Sequence, residues 1–97
     1  MLTSKQRATL RAQANGQPVL FQVGKEGVTE NLIKQTQSAL DARELIKLRT
    51  LEASGFTARE AADALAQGTG ADVVQVIGSC FVLYLQKAKE SAYAKML

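Results

Sequence analysis

The chain has 97 residues, with 12 Lys and Arg against 9 Asp and Glu, no His, one Cys and one Pro, and 46% of its residues are apolar. That length fits one domain, and the composition supports a core rather than wholesale disorder. A lone cysteine excludes an internal disulfide, the missing His and Cys cluster exclude a structural zinc site, and a formal charge of +3 decides nothing about partners until its placement is known.

The first residues, Met1 to Arg7, lack the charged start, apolar middle and cleavage site of a secretory signal. The longest run of large apolar side chains, Phe81 to Leu85, is far below the roughly 18 residues of a membrane span. A cytoplasmic location with no membrane partner is therefore expected. Thr3-Ser4-Lys5-Gln6 has the spacing of a capping box, and Gly16 stands where a helix would end in a left-handed residue before Pro18. A first helix is expected over residues 4 to 15, with a thin apolar stripe of Leu10 and Ala14 and with Lys5, Arg7 and Arg11 on its wet side.

Val19 to Val23 is a branched and aromatic run that suits a strand, followed by the tight loop Gly24-Lys25-Glu26-Gly27. Thr29 caps a second helix whose apolar arc is Val28, Leu32, Ile33, Thr36, Ala39 and Leu40. Glu44 to Leu51 alternates as a half-buried strand, with Ile46 and Leu48 on one face and Lys47 and Arg49 on the other. Thr57-Ala58-Arg59-Glu60 is a second capping box, preceded by Phe56 as a staple residue. It opens a third helix with a small-residue face, ended by Gly68 and Gly70. Asp72 to Ile77 and Ser79 to Gln86 are β-favouring runs joined at Gly78 as a hairpin.

The expected fold class is therefore α/β, a single domain in the order α-β-α-β-α-β-β. Its four-stranded mixed sheet would be packed by helices, the first two or three strands parallel-paired and the last returning antiparallel. Residues 1–86 would form this domain and residues 87–97 a basic tail.

Catalysis is not supported. There is no His for acid–base work near neutral pH, the acids fall on polar faces and loop ends, and Cys80 has no His partner. Catalytic residues, metal sites, cofactors and a small-molecule substrate are accordingly not expected. The remaining candidate is Gly24-Lys25-Glu26-Gly27 between a strand and a helix. Two glycines allow close backbone approach, the following helix offers amide protons and a partial positive charge, and Lys25 adds a cation, a combination suited to phosphate. The plain alternative is an ordinary strand-to-helix turn, which Glu26 favours by placing a negative charge there. Neither GxxxxGK[ST] nor GxGxxG is present, so a bound phosphate would belong to a polymer. Arg7 with Arg11, and Lys47 with Arg49, form local cationic pairs that would make a groove only by converging on this loop. Phe21, Phe81 and Tyr84 could stack bases but lie in apolar runs that favour core packing.

Three segments together resemble the CRM domain, a small RNA-binding family whose stand-alone bacterial members are the YhbY-like proteins. They are Gly24-Lys25-Glu26-Gly27-Val28-Thr29-Glu30, Glu44-Leu45-Ile46-Lys47-Leu48-Arg49, and Val73-Val74-Gln75-Val76-Ile77-Gly78 running into Leu83-Tyr84. The resemblance implies a domain similar to the C-terminal domain of bacterial translation initiation factor three. It also implies RNA bound at the GxxG loop and adjoining basic surface, and association with ribosomal RNA in precursors of the large ribosomal subunit. Ser79 and Leu85 depart from the family, which usually has basic residues there. The expected interface is Gly24, Lys25, Glu26, Gly27 and Thr29, extended by Lys5, Arg7, Arg11, Lys47 and Arg49, on a monomer. Gly27→Asp is expected to weaken RNA binding far more than stability. The alternative is a protein interaction module that docks on a ribosomal or assembly protein.

Overall fold

A computed structural model describes residues 2–86; the basic extension expected from Lys87 to Leu97 lies outside the described residues. Along the chain come α1 (Ser4–Ala14), β1 (Phe21–Val23), α2 (Glu30–Arg43), β2 (Leu45–Thr50), α3 (Ala58–Thr69), β3 (Asp72–Ile77) and β4 (Cys80–Tyr84), the order the sequence predicts. A short 3-10 turn at Glu52–Ser54, which the sequence reading does not anticipate, links β2 to α3.

The helix starts are set locally. Gln6 N–H donates to Thr3 Oγ1 at 3.1 Å while Thr3 N–H donates to Gln6 Oε1 at 2.9 Å. Thr57 and Glu60 repeat this exchange with the same distances, so both capping boxes form. Helix ends differ from expectation. Asn15 caps α1 in a right-handed conformation, its N–H donating to the Arg11 carbonyl, and Gly16 is not left-handed. Gly70 ends α3 in the left-handed region, whereas Gly68 lies inside the helix. A Cβ at Gly68 would stand 3.1 Å from two atoms of Ile33, so its bare backbone admits α2 against α3.

The sheet order is β1-β2-β4-β3. β1 pairs parallel with β2, and β4 pairs antiparallel with both β2 and β3. β3 therefore runs in the same sense as the first two strands but does not pair with β2, because β4 is inserted between them. Its sequence explains why: Phe81, Val82, Leu83 and Tyr84 are all buried, so β4 presents apolar side chains to both faces and must be covered on both. Phe81 and Leu83 enter a core with Val23, Leu40, Ile46, Leu48 and the small face of α3. Val82 and Tyr84 meet Leu10, Ala14, Leu45 and Val74 under α1. Thus α2 and α3 cover one face and α1 part of the other. Val74 reaches that second cluster through a β-bulge that leaves it without a partner on β4.

β1 is shorter than its apolar run, since Val19 is 38% exposed and outside the ladder. It is an edge strand, and the loop that follows it opens at the rim of the sheet. Among the described residues no helix is long and apolar enough to cross a membrane, and no cluster of His, Cys, Asp or Glu could hold a metal ion.

Candidate functional site

Gly24 to Gly27 form a β-turn closed by its own hydrogen bond, the Gly27 N–H donating to the Gly24 carbonyl at 2.8 Å. The backbone amides of the two central residues, Lys25 and Glu26, lie outside that bond, and both side chains are exposed. The two glycines are not equivalent. Gly27 is buried at φ +73°, where a Cβ would stand 2.7 Å from Phe56 Cε2, while a Cβ at Gly24 would meet nothing within 4 Å. Gly27 is thus demanded by the fold, and only Gly24 is free to serve a ligand by its smallness. A substitution at Gly27 therefore disturbs folding, contrary to the sequence expectation for Gly27→Asp.

Two residues separate the turn from α2. Thr29 Oγ1 accepts the Leu32 N–H at 3.1 Å, and the Ile33 N–H donates to the Thr29 carbonyl at 3.0 Å. The cap consumes the deeper amides, and those of Glu30 and Asn31 remain at the helix mouth. Between turn, β1 and α2 lies a hollow of about 420 Å³, lined by the turn together with Gln22, Thr29, Asn31 and Gln35. These three carboxamides are not singled out by the sequence reading, which weighs glycine, charge and aromatic rings. Asn31 and Gln35 are four apart, a spacing that places them on one helix face.

The ladder places part of the expected cationic surface on the adjoining sheet face. Arg49 pairs with Gln22 across β1 and β2, so the exposed Arg49 lies one strand in from the edge on the sheet face turned away from α2, with half-buried Lys47 two residues back on the same face. Lys5, Arg11, Lys25, Lys47 and Arg49 form no ion pair with any described residue. Helix α1 is different. Arg7 donates to the Val73 carbonyl, and Arg7, Arg11 and the previously unconsidered Arg59 flank β3 around a separate hollow of about 480 Å³. β3 lies three strand spacings from β1, about 14 Å, at the opposite rim. Lys5 is exposed in the first turn of the same helix. The expected single basic track is therefore divided: Gly24, Lys25, Glu26, Gly27 and Thr29 at one rim, Lys47 and Arg49 on the adjoining open face of β2, and Arg7 and Arg11 at the other rim.

Among the strand aromatics, Phe81 and Tyr84 are 1% and 2% exposed and belong to the core. Phe21 is half-buried. Cys80 is half-buried opposite Arg49 on the open part of the sheet.

The family model described as the CRS1 / YhbY (CRM) domain matches residues 2–84. The Bacillus subtilis protein named "Probable RNA-binding protein YqeI" is 45% identical over 91 residues, covering 94% of each chain. A Haemophilus influenzae protein named "RNA-binding protein" is 32% identical over 83 residues, covering 86% of this chain and 84% of that one. The solution structure of a hypothetical protein from Staphylococcus aureus superposes with a TM-score of 0.73 at 38% identity, covering 95% of this chain and 94% of that one.

Proposed function

The chain belongs to the CRS1/YhbY (CRM) domain family, and from that premise we propose that it is a non-catalytic RNA-binding protein that grips the sugar-phosphate backbone at the Gly24–Gly27 turn. The observation that carries this reading is the turn itself: an exposed strand-to-helix corner with unpaired amides at Lys25 and Glu26 and no side chain at Gly24. Lys25 supplies a mobile cation, Gly24 close approach, Gly27 the turn's left-handed corner, and Thr29 the cap that orients α2. Arg49 and Lys47 extend the positive surface onto the sheet. The exposed Glu26 side chain turns to solvent while its amide faces the phosphate. The names of the relatives support RNA as the partner.

The RNA in this reading is ribosomal RNA in precursors of the large subunit, and the protein acts as a monomer that assists assembly. A backbone grip neutralising roughly three to five phosphates predicts a log–log salt slope of about −2 to −4 on single-stranded RNA. Fluorescence titration of a labelled RNA at several salt concentrations tests the grip, and a salt-insensitive affinity would overturn it. Sedimentation of cell extract tests the biology: the protein should travel with large-subunit precursors and leave them after Gly24→Asp.

A further inference from the structure

The hollow beside the turn continues beyond it. It shares Gln35 with a second hollow of about 580 Å³ whose lining includes Leu20, Phe21, Lys34, Ala39 and Arg43. That one shares Leu20 and Arg43 with a third of about 280 Å³ beside Pro18 and Lys47. The first two adjoin along the outer edge of β1, where no strand pairs, and along the facing side of α2, and the third closes the groove at the start of β2 against Leu45, Ile46 and Lys47. From Gly24 back to Pro18 this groove extends up to about 20 Å, room for a few nucleotides.

Its chemistry changes along its length. At the turn it offers Asn31 and Gln35, whose carboxamides carry both donors and acceptors and so can pair with base edges. In the middle the floor is apolar and contains Phe21, the one strand aromatic that is not sealed in the core. Lys25, Lys34, Arg43 and Lys47 line the three hollows, none in an ion pair with a described residue, and Glu26 is the only carboxylate among the lining residues. Amides for edges, a ring for stacking and a rim of cations are what an unpaired nucleotide strand requires.

The other surfaces offer less. Along β3, Arg7 is engaged by the Val73 carbonyl and Arg59 by Asp63 at 3.3 Å. The hollow on the open sheet face, beside Lys47, Gln75 and Cys80, has no exposed ring.

We infer that single-stranded RNA runs from the Gly24–Gly27 turn along the groove between α2 and the outer edge of β1, its phosphates on Lys34 and Arg43 and one base against Phe21. This rests on the RNA-binding reading above and assigns the strand's path and its contact with bases, which the turn alone does not.

The test titrates the full-length protein with a fluorescein-labelled eight-nucleotide RNA of mixed sequence, alongside NMR of the unlabelled complex. Lys34→Gln with Arg43→Gln, both exposed, should make the salt slope shallower by about 1.4. Phe21→Leu, checked for folding, should weaken binding at least about fivefold, and Gln75→Ala on the other sheet face should bind like wild type. The side-chain amide of Gln35 and the ring of Phe21 should shift on titration in the unsubstituted protein, which needs no variant. If Gly24→Asp abolishes binding while the groove variants bind like wild type and those resonances stay still, the path is overturned and the turn survives. If the wild type binds no RNA, both readings fall. If a penta-glutamate peptide moves those resonances and the RNA does not, the groove takes an acidic protein segment and the inference is overturned.

Discussion

Gly27 and Phe56 interlock: the ring occupies the space a side chain at Gly27 would need, with Cε2 only 2.7 Å from where its Cβ would stand. The contact ties the turn at the rim of the sheet to the residue that leads into α3. It also divides the two glycines into one that folds the loop and one that leaves it open.

Gly27→Ala should therefore cost roughly 2–4 kcal/mol, combining a left-handed residue with a Cβ and an overpacked contact. Gly24→Ala, facing open space, should change stability by less than about 0.5 kcal/mol. Urea denaturation of both variants checks this, and equal effects at the two positions would show that the ring does not constrain the turn.

Lys25→Gln should weaken RNA binding and make the salt slope shallower by about 0.7, the share of one phosphate on a single strand, without altering the urea midpoint. Its side chain is exposed and forms no ion pair with a described residue, so nothing in the fold depends on its charge. An unchanged slope would place the phosphates elsewhere.

Much of this arrangement was legible in the sequence because its signals are local. Thr3 with Gln6, Thr57 with Glu60, and the Thr29 cap each depend on residues three apart, and all three form. The central position of β4 was missed, because the expectation of up to three parallel-paired strands followed chain order, although the unbroken apolar run Phe81 to Tyr84 suits a strand covered on both faces. The difference between Gly24 and Gly27 was not legible, because it is imposed by Phe56, far along the chain. The placement of Arg7 and Arg11 was hidden for a similar reason. Leu10 and Ala14 specify that α1 packs, but Leu45, Val74, Val82 and Tyr84 decide where.

That placement has a consequence for RNA length. Arg11 flanks β3, three strand spacings of about 14 Å from β1, so an eight-nucleotide strand that follows the outer edge of β1 is directed away from it, whereas a long RNA can fold back across the sheet. Arg11→Gln should weaken binding of a long RNA more than that of an eight-nucleotide strand. Parallel titrations with the two lengths decide it, and an equal loss on both would mean that the two patches act on the same few nucleotides.

Gly68 and Ile33 make a second test of close approach. In an exposed helix interior, Gly→Ala gains about 1 kcal/mol from backbone propensity. Here the new Cβ would meet Ile33 Cδ1 and Cγ2 at 3.1 Å and Cγ1 at 3.3 Å, in a side chain already packed against the core. The contact should cancel the gain, leaving Gly68→Ala neutral to destabilising in the native background. With Ile33→Ala the obstruction is gone, and adding Gly68→Ala should then stabilise by about 1 kcal/mol relative to Ile33→Ala alone. A double-mutant cycle in urea measures the coupling, and additive effects would mean that α2 and α3 have room to separate at this point.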